Sequence, residues 1–171
     1  VVRESLKAIP EQTSYYKCMA DVIRWYDENP TDWKATWKLI QDKWGTAENC
    51  PDGLYSEFNI DAKINSAYVI MGLLYGNGDY TQTIHVSTRC GQDSDCNPST
   101  AAGILGTLIG YENIPLTWKN CLPPVENRNF AHTSISLKKA YDLSFKHALE
   151  VISRNGGKVA KDKVRIKQQP V

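Results

Sequence analysis

The stretch AKINSAYVIMGLLYG, residues 62–76, is almost continuously apolar and decides the fold class. Such a composition predicts a helix that is buried on most sides. The turn formed by Gly76, Asn77 and Gly78 predicts its end. Its longest apolar run, residues 67–75, is far too short to span a bilayer, so we expect no transmembrane segment and no membrane partner.

Two amphipathic helices are predicted before this stretch. Residues 14–29 form the first, and the segment TDWKATWKLIQDKWG, residues 31–45, forms the second, with Thr31 as its N-cap and Gly45 as its stop. The short connection at Pro30 predicts a helical hairpin. The positions expected to face inward are Tyr15, Met19, Val22, Ile23 and Tyr26 in the first helix and Trp33, Trp37, Ile40 and Trp44 in the second.

Three more helices are predicted after the apolar stretch, over residues 79–89, 98–111 and 136–154. The middle one carries Gly103, Gly106 and Gly110, which favours close approach of its backbone to its neighbours. Residues 46–58 are predicted to be a loop, and residues 158–169 a short strand or extended segment. In the last helix we expect an inward face of Leu137, Tyr141, Phe145, Ala148, Leu149 and Ile152. The predicted fold class is therefore all-α, with a short extended or β tail.

The composition is that of a soluble globular chain. Its 171 residues carry 20 Lys and Arg against 19 Asp and Glu, a net charge of +1. This balance gives no reason to expect a nucleic acid partner, and we interpret the basic residues 154–167 as a solvated edge. The chain begins with Val1 and no charged-then-apolar leader, so no compartment is assigned, and we expect a fragment or a processed product.

Five cysteines are present without a metal-type C-x-x-C spacing. Buried thiols are the favoured interpretation, and a disulfide between Cys90 and Cys96 is the less favoured one. The three histidines, His85, His132 and His147, are scattered without a partner pattern and predict ordinary polar or partly buried side chains rather than catalysis.

Two carboxylates one residue apart, Asp93 and Asp95, lie in the segment RCGQDSDCNPSTAAGILG, residues 89–106. They could cap the following helix. A calcium loop fits the first five positions only, because Pro98 and Ile104 stand where Gly and Glu are required. They could also be hard oxygen ligands for Mg²⁺, whose charge would offset their repulsion. Spacing alone leaves the capping and the magnesium interpretations open.

A longer pattern runs from Asn65 to Trp118 and includes GLLYG, the pair Gly78-Asp79, CGQDSDCNPST and an I-P-x-x-W element. It resembles the C-terminal half of an ADP-ribosylglycohydrolase, in which a G-x-D-T-D motif precedes a helix of small residues. The segment around Asp32 and Trp37 and the last residues of the chain also resemble bacterial members. The matching residues are Gly91, Asp93, Asp95, Cys96, Asn97, Ile114, Pro115 and Trp118.

The resemblance implies an all-helical, multi-helix orthogonal bundle with two Mg²⁺ ions that hydrolyses a glycosidic bond at the ribose of ADP-ribose. The implied substrate is an ADP-ribosylated protein or an ADP-ribose derivative. Asp93 and Asp95 would be metal ligands. Gly91 would let the backbone come close to the sugar, and Cys96 would be only a weak contact because a thiol is a poor partner for a hard cation.

The resemblance implies that the family's remaining metal ligands come from an N-terminal T-D-D-T/S motif and that its acid/base carboxylate also lies in the N-terminal half, and nothing between Val1 and Gly91 matches either. We therefore assign no catalytic residue in this chain, and expect Asp21, Asp27, Asp32 and Asp61 to be isolated surface or capping residues. Residues 1–157 are expected to be the C-terminal part of the helical domain and residues 158–171 an exit towards a further domain. The missing half would be a partner, and the apolar surface left exposed could support a homo-oligomer.

A second function class stays open beside the hydrolase. A module that keeps the helices for structural or ligand-binding use, as lens crystallin J1 of the same family does, would show the same helical pattern without catalysis.

Overall fold

The computed structural model describes residues 1–46 and 61–168, so nearly all of the loop predicted over residues 46–58 lies outside the described residues. The chain divides into two compact units, Val1–Pro115 and Leu116–Val171. The helices of the described residues are α1 (Val2–Ser5), α2 (Ser14–Glu28), α3 (Trp33–Trp44), α4 (Ala62–Gly76), α5 (Tyr80–Arg89), α6 (Cys96–Ile109) and α7 (Leu137–Arg154), with short 3-10 turns at Leu6–Ala8, Tyr111–Asn113 and Leu116–Trp118.

Helix α4 is the centre of the first unit and packs against α1, α2, α3, α5 and α6. The prediction of a helix buried on most sides is confirmed, because Ile64, Ala67 and Met71 are fully buried and Tyr68 almost so. Asn77 ends the helix with φ +46°, as the predicted turn requires. Among the described residues, no helix combines the length and the apolarity needed to cross a bilayer.

Helices α2 and α3 form the predicted hairpin, and its apolar face enters the core around α4. Ile40 and Trp44 are buried, while Trp33 and Trp37 pack on the same core half-buried. The predicted N-cap Thr31 is wrong. Because α3 begins at Trp33, the side chain of Asp32 stands at the cap and accepts hydrogen bonds from the backbone N–H groups of Lys34 and Ala35 at 3.0 and 3.1 Å.

Three other carboxylates are predicted to be isolated surface or capping residues. Asp61 caps α4 and Asp27 is exposed, as predicted, although Asp27 also pairs with Arg3. The prediction is wrong for Asp21, because its carboxylate is buried and accepts hydrogen bonds from three groups. The donors are Lys43 Nζ, Arg24 and the Trp44 indole N–H. Burial acts to raise the pKa of Asp21, but these three donors together hold that pKa below its usual value.

The prediction of close backbone approach along α6 is wrong for two of its three glycines. Nothing lies within 4 Å of a Cβ added at Gly103, and Gly110 lies past the helix end with φ +81°. The close approach occurs instead at Gly72 of α4, where a Cβ would stand 2.8 Å from Ser87 Cβ and 2.9 Å from the carbonyl oxygen of Thr83. Helix α4 therefore meets the backbone of α5 directly at this position.

The thiols follow the prediction in part. Cys18 and Cys90 are buried, and burial raises the pKa of each to about 12. Cys96 and Cys121 are exposed, so the expectation of buried thiols is wrong for them. The alternative of a disulfide between Cys90 and Cys96 is also excluded, because both thiols are free.

In the second unit, Ser136 caps α7 by accepting a hydrogen bond from the N–H of Lys139. The inward face predicted for α7 is wrong, because no residue of this helix is buried and Phe145 is 67% exposed. Among the named elements of this unit, α7 packs chiefly against β1 of the tail hairpin, which is too small to cover an apolar stripe. The predicted tail is confirmed as an antiparallel pair, β1 (Lys158–Val159) and β2 (Val164–Arg165).

We predict opposite effects for two matched glycine substitutions. Gly72→Ala should lower the free energy of unfolding by about 1–3 kcal/mol, because its Cβ meets the Thr83 carbonyl oxygen, which cannot move without shifting α5. Gly103→Ala has open space and should raise it by about 0.5–1 kcal/mol. Urea denaturation of both variants measures this, and equal effects at the two positions would refute the packing of α4 on α5.

Candidate functional site

The Asp93–Asp95 loop, residues 90–95, joins α5 to α6. Cys90 ends α5 in the core, and its carbonyl oxygen accepts a hydrogen bond from the Trp37 indole N–H at 2.8 Å. The next two residues turn the chain with left-handed backbone, φ +91° at Gly91 and +54° at Gln92. The start of the loop is therefore anchored to α3, and its direction is set by two residues of unusual conformation.

The two carboxylates meet at the first backbone N–H of α6. Asp93 Oδ1 accepts a hydrogen bond from Cys96 N at 3.1 Å, and Asp95 Oδ1 accepts one from the same N–H at 2.8 Å. Ligand atoms of Asp93, Asp95 and Cys96 all lie within 4.8 Å of one another. Among the described residues this is the one group of three or more His, Cys, Asp or Glu side chains that could hold a metal ion.

The pKa values of Asp95 and Cys96 are shifted in opposite directions. The pKa of Asp95 is lowered, first by a hydrogen bond with Asp93 and then by the backbone N–H of Cys96, so Asp95 is ionised at neutral pH. The pKa of Cys96 is raised, chiefly by its hydrogen bond to Asp93 and then by the charges of both carboxylates. The thiol is therefore neutral, and only a thiolate is a good metal ligand.

The donor set fits Mg²⁺ in part. Asp93 is half-buried and Asp95 exposed, and both offer the hard oxygens that Mg²⁺ prefers. Cys96, predicted as a weak ligand, is exposed but soft and protonated. At Gly91 a Cβ would meet nothing within 4 Å, so its positive φ, and not a close neighbour, is what requires glycine there.

Asn65 and Asn97 belong to the sequence pattern described above, but their role in holding the loop was missed. The amide oxygen of Asn65 on α4 accepts a hydrogen bond from Asp93 N at 3.2 Å and another from Asn97 Nδ2 at 2.7 Å. Both asparagines are buried, Asn65 at 7% and Asn97 at 4% exposure. The signal available in the sequence was a lone asparagine inside the otherwise apolar stretch of residues 62–76.

The three histidines do not enter this cluster. His85, His132 and His147 are exposed, and none belongs to the group of potential ligands around Asp93.

The ADP-ribosylglycohydrolase family model matches residues 1–144 of the 171-residue chain. The chain therefore belongs to the ADP-ribosylglycohydrolase family, which confirms the resemblance and agrees with the all-α fold. The match supports a glycohydrolase-type function and suggests an ADP-ribosylated substrate. No curated protein and no solved structure matches the chain.

We predict that Asp93 controls the reactivity of the Cys96 thiol. Asp93→Asn removes the charge that raises the thiol pKa, so alkylation by iodoacetamide should reach half its maximal rate at a lower pH than in the unchanged chain. The measurement is the rate of Cys96 labelling against pH, resolved by peptide mass spectrometry. Asp42→Asn, which neutralises an exposed carboxylate on α3, is the control and should leave the profile in place. An unchanged profile in Asp93→Asn would contradict the contact.

Proposed function

We propose that this chain supplies part of the active site of a Mg²⁺-dependent ADP-ribosylglycohydrolase, which cleaves the glycosidic bond at the ribose of ADP-ribose adducts. The observation that carries the proposal is the pair Asp93 and Asp95, held together at the start of α6 in a chain of this family. The substrate class is an ADP-ribosylated protein or an ADP-ribose derivative.

Asp93 and Asp95 would hold the cation. Each uses Oδ1 to accept the N–H of Cys96, so this backbone N–H leaves the second carboxylate oxygen of each residue unoccupied. The start of α6 carries about half a positive charge, which opposes a cation, but the two carboxylates together bring up to two full negative charges. The balance at the loop therefore favours cation binding.

A bound Mg²⁺ supplies Lewis-acid polarisation of oxygen atoms and a water with a lowered pKa. The contribution of this chain is to hold the two carboxylates in place before the cation arrives. Mg²⁺ requires a nearly octahedral set of oxygens, and two carboxylates fill only part of it. The ligands of the second expected ion, further ligands of the first and the acid/base group would come from residues outside the cluster.

A non-catalytic module of the crystallin type is the second candidate. It is favoured by the geometry of the cap, because both carboxylates already accept the N–H of Cys96 and so have a structural use without a metal. The two proposals predict different effects on hydrolytic activity when Asp93 or Asp95 is replaced.

In the full-length protein, Asp93→Asn and Asp95→Asn should abolish Mg²⁺-dependent hydrolysis of an ADP-ribosylated substrate while the melting temperature changes little, because asparagine still accepts a capping hydrogen bond. Asp79→Ala is the matched control. Asp79 caps α5, and its Oδ1 accepts the N–H of Gln82 at 2.6 Å. The substitution removes this cap without touching the Asp93–Asp95 loop. It should therefore lower the free energy of unfolding by about 0.5–2 kcal/mol and leave the hydrolytic activity unchanged. Full activity in both Asn variants would overturn the metal site and favour the module.

The 171-residue chain by itself should show no hydrolysis of ADP-ribosylated protein or nucleotide at ordinary enzyme concentration, since Asp93 and Asp95 fill only part of the oxygen set that Mg²⁺ requires and both would be used as its ligands, which leaves neither for proton transfer. A release assay for free ADP-ribose measures this. Turnover that persists through purification and is lost in Asp93→Ala would show that the chain holds a working site on its own.

A further inference from the structure

Asn65 occupies an unusual position on α4. It is 7% exposed, and its neighbours along the helix, Ile64, Ala67 and Tyr68, belong to the apolar core. A polar side chain is costly at such a place unless all of its hydrogen-bonding capacity is used. The contacts of Asn65 therefore show what the side chain does.

All four hydrogen-bonding positions of the Asn65 amide have partners. Its oxygen accepts from Asp93 N and Asn97 Nδ2, and its nitrogen donates to the carbonyl oxygen of Asp61 at 3.0 Å and to Gln92 Oε1 at 3.3 Å. The backbone N–H of Asp93 can only donate, so it fixes which end of the amide faces the loop. Three of the four partners belong to the segment that carries the two carboxylates.

The backbone next to these partners needs support. Gln92 has φ +54°, which a residue with a side chain rarely adopts, and its Nε2 is buried without a hydrogen-bond partner. Such a conformation persists only where surrounding contacts hold it. Asn65 supplies two such contacts, one with the side chain of Gln92 and one with the backbone N–H of the next residue, Asp93.

We propose that Asn65 is a positioning residue for the Asp93–Asp95 pair, an inference that rests on the proposed metal function. Two like charges one residue apart tend to separate. By holding the N–H of Asp93 and the side chain of Asn97, Asn65 fixes the backbone on both sides of the pair. The carboxylates then keep the spacing that a divalent cation requires before it binds, which is the condition for a tight site.

The test uses the 171-residue chain, with Mn²⁺ as the probe and electron paramagnetic resonance as the measure of its affinity. Asn65→Ala should weaken Mn²⁺ binding about tenfold or more, the factor expected from losing the net effect of an ordinary hydrogen bond or two. It should also remove the protection of the Asp93 amide from hydrogen exchange, measured by NMR at a temperature where the variant is folded.

The matched control is Thr36→Val. Thr36 is fully buried and donates to the carbonyl oxygen of Trp25 at 3.1 Å, so its loss removes a buried hydrogen bond from the same core without touching the Asp93–Asp95 loop. It should lower the melting temperature and leave both Mn²⁺ affinity and Asp93 protection unchanged. Equal weakening of Mn²⁺ binding in the two variants, or unchanged binding in Asn65→Ala, would overturn the proposal.

A second variant, Asn65→Asp, keeps the shape of the side chain and an acceptor for the Asp93 N–H, and it serves where Asn65→Ala does not fold. The Asp93 amide should stay protected in it, and loss of that protection would count against the contact. If the unchanged chain binds no Mn²⁺, hydrogen exchange alone decides on Asn65, and the Asp93→Asn and Asp95→Asn variants of the full-length protein decide on the metal function. Lost Asp93 protection in Asn65→Ala, but not in Thr36→Val, would then support the positioning role, and unchanged protection would overturn it.

Discussion

The close approach of α4 to α5 at Gly72 is the constraint on which the first unit depends. A single Cβ there would stand 2.9 Å from the carbonyl oxygen of Thr83, so α5 can lie where it does only because residue 72 has no side chain. Asn65 lies seven residues earlier, and seven residues return an α-helix to within about 20° of the same face. The face of α4 that admits α5 is therefore also the face that receives the loop after α5.

This shared face links packing to the candidate site. Since α5 is fixed against α4, and the carbonyl oxygen of Cys90 directly after it accepts the Trp37 indole N–H, the chain leaves the core at Cys90 in a set direction. Two left-handed residues then turn it back towards α4, where Asn65 accepts the N–H of Asp93. The carboxylate pair thus depends on helix packing on one side and on a buried amide on the other.

The parts of the fold that could be predicted are those that depend on local pattern. The burial of α4, the tryptophan stripe of α3 and the caps at Asp61 and Asp79 follow from periodicity and from carboxylates placed before helices. Which helical glycines are required for close packing could not be predicted from local pattern. Gly72 and Gly103 are both helical, and only the position of α5 makes one of them indispensable and leaves the other in open space.

Polar residues in the core were also difficult to predict from the sequence. The burial of Asp21 and Asn65 could not be predicted from the sequence, because most of the groups that satisfy them lie 22 to 32 residues away. These groups are Lys43, Trp44, Gln92, Asp93 and Asn97. The prediction of a buried apolar face on α7 is wrong because a packing partner is absent among the described residues of its own unit. Its pattern predicts a buried face, but no element of its own unit is large enough to cover that face.

The capping and metal interpretations of Asp93 and Asp95 are compatible, and Cys96 shows why. A carboxylate has two oxygens, and the N–H of Cys96 occupies only Oδ1 of each, so a cap and a ligand can be the same side chain. The Cys96 thiol is protonated and bonded to Asp93, so it serves that carboxylate as a donor. A hydroxyl at this position could donate to Asp93 and also offer a hard oxygen to the cation. The neutral thiol keeps the first role and loses the second, so in the proposed metal site coordination at this end would fall to the carboxylates and to water.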